Sequence, residues 1–267
     1  DLAAQKIYIG QLFGGGNGDY DYTTTYSGKS SPVLAKTYLD VQGGSIVYAY
    51  GGGNNATVTS NTVISVNNPS KVVNSIKDKA GNELLTNDRF QKQMGINTGF
   101  SYPSSDAFQI GRFFRGNNKA EMAIRPTWNL KSGKIRNLCS GGNEGAMTHR
   151  EGLLLEIPAT STIIVDNVYG GCRKADVKPL YDNNDETPVP YTQIALDPED
   201  NPNNIPAGYA ARVRVLAGHV NNVYGGNDIS GNVYGGNTVG ILAHIYGDVY
   251  GGGNGSYAYT DNAELKD

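Results

Sequence analysis

The sequence predicts an all-β protein, a right-handed parallel β-helix (β-solenoid) with two loop insertions. Three observations predict it. A Gly- and Asn-rich phrase recurs along the chain, an Ile or Val usually precedes its apolar position by three residues, and the spacing is about two dozen residues. The whole chain, 1–267, reads as a single domain.

The phrase is clearest at Val223-Tyr224-Gly225-Gly226-Asn227 and Val233-Tyr234-Gly235-Gly236-Asn237. Earlier copies begin at Leu12-Phe13, Ala49-Tyr50, Phe113-Phe114, Leu138-Cys139 and Val168-Tyr169, and a later one begins at Val249-Tyr250. Residues three apart on a straight strand point to opposite faces. Ile9 and Leu12, or Val165 and Val168, reach one core only if the chain bends between them, at residues such as Gly10, Gly111, Asn167 and Asn222. The aromatic follows the apolar residue directly and is expected to face away from that core.

The spacing supplies the architecture. Phe113 to Leu138 is 25 residues, Leu138 to Val168 is 30, and Val223 to Val249 is 26. Each circuit of a solenoid buries a small apolar residue, turns a corner, and presents a like corner to the circuit above. Glycine is expected to supply the turn, asparagine to hydrogen-bond along the stack, and the aromatic to cover bare glycine backbone. Parallel crossovers favour right-handed coiling. Thr62–Val66, Leu153–Ile157, Thr162–Val165, Ala211–Leu216 and Thr238–Ala243 are expected to fill the remaining face. The two insertions are expected at 67–106, with a short helix after Asn68-Pro69, and at 178–207.

The two ends match. Residues 14–23 read GGGNGDYDYT and residues 251–260 read GGGNGSYAYT. The expectation is one unit of a longer array with further repeats.

The phrase, with Gly44-Ser45-Ile46 before one copy and Asn55-Ala56-Thr57-Val58-Thr59 after it, resembles the Gly/Asn-rich β-helical repeats of gut-bacterial surface proteins. It is more distantly similar to the repeats of polymorphic outer-membrane autotransporter passengers. The resemblance implies a secreted or cell-surface protein with an adhesive or structural role, and it supplies no catalytic residues. Phe114-Arg115-Gly116 and Cys139-Ser140-Gly141 depart from the pattern.

Composition narrows the function classes. A net charge of -3 gives no electrostatic reason to bind nucleic acid, and no apolar run is long enough to span a bilayer. The chain begins at Asp1, and removal of an export signal is the expectation. No cofactor and no metal are expected. The acidic stretches at 182–186 and 197–201 lack EF-hand spacing. Cys139 takes an aromatic slot and Cys172 an asparagine slot. The offset of roughly 10 Å along the strand exceeds disulfide reach.

Parallel β-helices also carry polysaccharide lyases and glycoside hydrolases, whose chemistry needs converging carboxylates. Asp166, Asp228 and Asp248 flank copies of the phrase; Asp228 and Asp248 could meet on adjacent coils as a catalytic pair, and a solvated corner is the expectation for them. His219 and His244 are 25 residues apart and are expected to stack. The expected aromatic column comprises Phe13, Tyr50, Phe114, Tyr169, Tyr224, Tyr234 and Tyr250. Exposed tyrosines stack on sugars or peptides. The candidate ligand-binding residues are therefore Tyr20, Tyr22, Tyr169, Tyr224, Tyr234, Tyr250, Tyr257 and Tyr259. Three functions follow: a non-catalytic adhesin or scaffold that binds glycan or protein, a polysaccharide-active enzyme, or a spacer module of a larger surface protein.

Overall fold

A computed structural model describes residues 8–60, 62–67, 109–149, 152–178 and 209–255. Both expected insertions lie outside these residues, apart from Asn67 and Lys178, which end strands. In chain order the strands are β1 (Tyr8–Phe13), β2 (Thr37–Val41), β3 (Ser45–Tyr50), β4 (Thr62–Asn67), β5 (Ile110–Phe114), β6 (Thr127–Ser132), β7 (Lys134–Cys139) and β8 (Met147–Thr148). They continue as β9 (Leu153–Ile157), β10 (Ile164–Tyr169), β11 (Val177–Lys178), β12 (Tyr209–Val215), β13 (His219–Tyr224), β14 (Gly236–Ile241) and β15 (Val249–Tyr250).

The described residues form strands without helices, and the strands pair in parallel. A seven-stranded sheet runs β1-β3-β5-β7-β10-β13-β15. Two three-stranded sheets run β2-β4-β6 and β9-β12-β14, and β8 pairs with β11. The chain therefore leaves the large sheet, passes through a smaller one, and returns one strand further along.

The repeated phrase sets this order. Leu12, Ala49, Phe113, Leu138, Val168, Val223 and Val249 stand in register across the large sheet. Three residues earlier, Ile9, Ile46, Ile110, Ile135, Val165 and Val220 also align, and the pairing skips one residue between: Gly10, Val47, Gly111, Arg136, Asp166 and Asn221. That shared interruption lets Val165 and Val168, or Val220 and Val223, enter one core together. The core is completed from the smaller sheets by Leu39, Val41, Ile64, Val66, Leu130, Leu155, Ile157, Val213 and Val215. Burying each such side chain contributes about 1.5–3 kcal/mol.

Four of the apolar runs read from sequence contribute to the smaller sheets, as β4, β9, β12 and β14. Thr162–Val165 does not. Ile164 and Val165 open β10, so they belong to the strand that carries Tyr169. Period-two burial in β9 fits one covered face and one partly open face.

The corner glycines have a role different from the expected turn. Gly15, Gly52, Gly116, Gly141, Gly171, Gly226 and Gly252 each sit two residues after the column position, and none is among the glycines with positive φ. In the first six, an added Cβ would lie 1.8–3.0 Å from an atom of the segment stacked on that corner. Close approach along the stack, rather than backbone conformation, excludes a side chain here.

Candidate functional site

The ring position forms a second column on the opposite face from the main core. Phe13 stacks on Tyr50 at 4.7 Å, Tyr50 on Phe114 at 5.1 Å, Tyr169 on Tyr224 at 5.0 Å, and Tyr224 on Tyr250 at 5.0 Å. These separations match the strand spacing, so the pleat itself holds the rings face to face. Cys139 occupies the ring slot between Phe114 and Tyr169.

Two polar ladders flank the rings. Four residues after the ring position, Asn54 Nδ2 donates to Asn17 Oδ1 (2.8 Å), Asn118 to Asn54 (2.7 Å) and Asn143 to Asn118 (2.8 Å). Arg173 Nη1 continues the ladder onto Asn143 Oδ1 at 3.1 Å. Two residues before the ring position, Asn222 Nδ2 donates to Asn167 and Asn167 to Asn137, each at 3.0 Å. One amide donates to the next because equivalent side chains repeat at the strand spacing. Where an asparagine comes one residue early, it instead binds backbone: Asn117 Oδ1 accepts from Gly53 N–H and Asn227 Oδ1 from Cys172 N–H.

Burial takes one of the sequence candidates, Tyr169, off the surface. Tyr169 is 3% exposed, its ring sandwiched in the column. Tyr234 is not in the column: Val233 bridges Val177 on another side of the fold, and Tyr234 is exposed. Tyr224 is half-buried, while Tyr250 ends the column half-open. Tyr257 and Tyr259 lie outside the described residues.

Tyr20 and Tyr22 do come together, with a third residue that the sequence reading missed, Tyr26. The Tyr20 ring meets Tyr26 edge-on at 5.5 Å and Tyr22 at 6.3 Å, and Tyr22 lies 6.4 Å from Tyr26. Their loop follows the first corner. Gly18 has φ +64° and abuts Asn55, so a side chain there is excluded twice over. The Asp21 carboxylate accepts from the N–H and hydroxyl groups of Thr23 and Thr24. Those hydrogen bonds, Thr24's first and Thr23's next, hold the carboxyl well below the usual carboxylate range. The Tyr26 N–H closes the turn on Asp21 O at 2.9 Å. The sequence signal for Tyr26 was a Tyr-x-Tyr-x₃-Tyr run in one polar loop.

Reactive groups are placed less openly. Asp228, expected at a solvated corner, is fully buried and pairs with Arg112. Asp166 is largely buried and accepts from Asn221, and burial raises its carboxyl. Asp248 accepts from the Tyr250 hydroxyl at 3.3 Å. Cys139 and Cys172 are free, buried thiols. Burial pushes Cys172 up to about 12 and Cys139 well above the ordinary thiol, so neither is held as a thiolate. His219 and His244 do not stack on each other. Tyr246 intervenes, stacked on His219 at 3.7 Å and edge-on to His244 at 4.5 Å.

Among the described residues no group of three His, Cys, Asp or Glu side chains gathers to hold a metal ion. No helix of the described residues is long and apolar enough to cross a membrane. No known family model, curated protein or solved structure matches the chain.

Proposed function

We propose that this chain is a right-handed parallel β-solenoid that acts, without catalysis, as an exported or cell-surface adhesin or scaffold. Its binding element is the tyrosine cluster Tyr20, Tyr22 and Tyr26, and its ligand is a glycan or a surface protein. The observation that carries the reading is this cluster of rings on a loop already fixed by Asp21 and Gly18. Preset rings stack on sugar faces with little ordering cost, and each hydroxyl adds a donor and an acceptor.

The solenoid reading is supported by the parallel pairings and by ring standing over ring and amide over amide. The surface location is supported by the resemblance of the phrase to repeats of gut-bacterial surface proteins. Glycan-array binding of the 267-residue chain, beside a Tyr20→Ala/Tyr22→Ala/Tyr26→Ala variant with an unchanged melting temperature, tests the proposal. The reading requires that the triple variant lose binding. Equal binding by the two proteins counts against the cluster.

A spacer role is the second reading, and one observation favours it. At the β15 end, Val249 and Tyr250 are each 46% exposed, so among the described residues nothing caps the stack there.

A further inference from the structure

The last corner keeps glycines that nothing described there requires. In six circuits the glycine two residues after the ring position is forced by the backbone or side chain stacked on it. At Gly252 an added Cβ would meet nothing within 4 Å, and the same holds for Gly251. Exposed glycines in a row cost conformational entropy and gain nothing by themselves. The shape they leave is the one each earlier corner offers to the circuit above it.

The side chains around that corner agree. Val249 is half-exposed, whereas its in-register neighbours Val223 and Val168 are fully buried. Tyr250 is half-exposed, whereas Tyr169 and Tyr50 in the same column are covered. Leu242 and Tyr246 extend this apolar edge. A cleft of about 360 Å³ opens beside it, between Asn227, Val233, Asn237 and Gly253.

We propose that this edge seats β1 of a second copy of the chain, head to tail. The proposal rests on the solenoid reading above. The first circuit carries the matching half. Leu12 and Phe13 pair with Ala49 and Tyr50 in the register that Val223 and Tyr224 use with Val249 and Tyr250. The corner after Phe13, Gly14 to Asn17, repeats the Gly-Gly-Gly-Asn of residues 251–254. The direction of hydrogen bonding also fits. The N–H after each ring residue donates to the ring residue of the next strand: Gly14 to Tyr50, Gly170 to Tyr224 and Gly225 to Tyr250, each at 2.9 Å. On the seat that donor is Gly251, and on the incoming copy that acceptor is Phe13. The Phe13 ring then continues the column over Tyr250, and Leu12 covers Val249. The two surfaces differ, so the contact is heterologous and builds an open chain rather than a closed dimer.

The test is sedimentation velocity of the 267-residue protein over a concentration series, with Gly252→Val and Gly171→Val beside it. Wild type is expected to form species rising in steps of 28.5 kDa. Gly252→Val fills the seat, and its Cβ meets no described atom of its own molecule within 4 Å, so it is expected to stay a folded monomer with an unchanged circular dichroism melt. Gly171→Val, whose Cβ falls 2.0 Å from Asn227 Oδ1, is expected to melt far lower, which checks the stacked corners independently of assembly. A folded wild type that stays monomeric overturns the proposal and leaves the edge to residues following in a longer chain. Assembly that survives Gly252→Val, or that stops at a dimer, also overturns it. If Gly171→Val melts like wild type, the solenoid reading itself fails.

Discussion

Arg112 on β5 donates through Nη1 to Asp228 Oδ2 at 3.0 Å, although the two are 116 residues apart. Both are buried, and Asp228 is fully so. Arg112 lies two residues before Phe114, on the face that carries the rings. The pair sits by Cys139, whose thiol feels both charges, at the one slot in the column without a ring. Beside the slot without a ring, an ion pair joins β5 to the corner after β13.

Removing one member of this pair leaves a buried charge uncompensated. Arg112→Met or Asp228→Leu should each cost roughly 3–5 kcal/mol in urea denaturation. The double variant Arg112→Met/Asp228→Leu should recover much of the loss. Additive losses in the double variant would mean that the two charges do not depend on each other.

The glycines separate by what lies over them. Gly52→Ala puts a Cβ 1.8 Å from Asn117 Oδ1, whereas Gly10→Ala meets nothing within 4 Å. Gly52→Ala is expected to destabilise by about 1–3 kcal/mol or more. Gly10→Ala should be neutral or stabilising by about 0.4–1 kcal/mol. Thermal melts of the two single variants decide it, and equal melting temperatures would remove close approach as the reason for the glycine.

Asn118 joins two rungs of the outer ladder, donating to Asn54 and accepting from Asn143. Asn118→Ala should cost about 1–3 kcal/mol for each partner left without a bond. Asn118→Asp still accepts from Asn143 but gives Asn54 no donor, so it should not restore stability. Urea midpoints near wild type for both variants would show the ladder to be energetically silent.

His149 sets a pH dependence. Burial first, and the charges of Arg125 and Arg115 next, push its imidazole down to about 4. In the unfolded chain the group titrates near 6.5. Between those values the unfolded state binds the proton more readily, so falling pH favours unfolding. Its contribution is complete above about pH 6.5 and is lost progressively towards pH 4. Urea unfolding across this window should fall less steeply for His149→Gln than for wild type, and parallel profiles would assign the effect to other groups.

Much of the fold was legible because one phrase repeats. Val168-Tyr169, Val223-Tyr224 and Val249-Tyr250 share residue types at a steady spacing, and they stand in register. Cys139 could be placed in a ring slot for the same reason. What failed to read was whatever occurs once or depends on the third dimension. Val233-Tyr234 has the phrase's letters but falls on another side of the fold, since ten residues cannot complete a circuit. Arg112 and Asp228 each replace a residue of the pattern, and nothing local ties them together. The glycines looked like turn formers because sequence does not show the backbone that stacks on them. Strands β2 and β6 went unread, their outward residues, such as Asp40 and Lys131, masking a short apolar alternation. In the tyrosine cluster, Tyr20 and Tyr22 were legible, while Tyr26 joins only through the turn that Asp21 closes.

Cysteine cross-linking tests most directly whether like residues lie over like along one axis. Asn167 and Asn222 are 55 residues apart in sequence, yet they are partners in register, with their side chains bonded at 3.0 Å. Neighbouring parallel strands hold such partners within disulfide reach. Under mild oxidation, Asn167→Cys/Asn222→Cys should form an intramolecular disulfide that reductant reverses, while Asn167→Cys/Val223→Cys, whose second position faces the core, should not. Failure of the first pair to close, or equal closure of both, would contradict the stacked register.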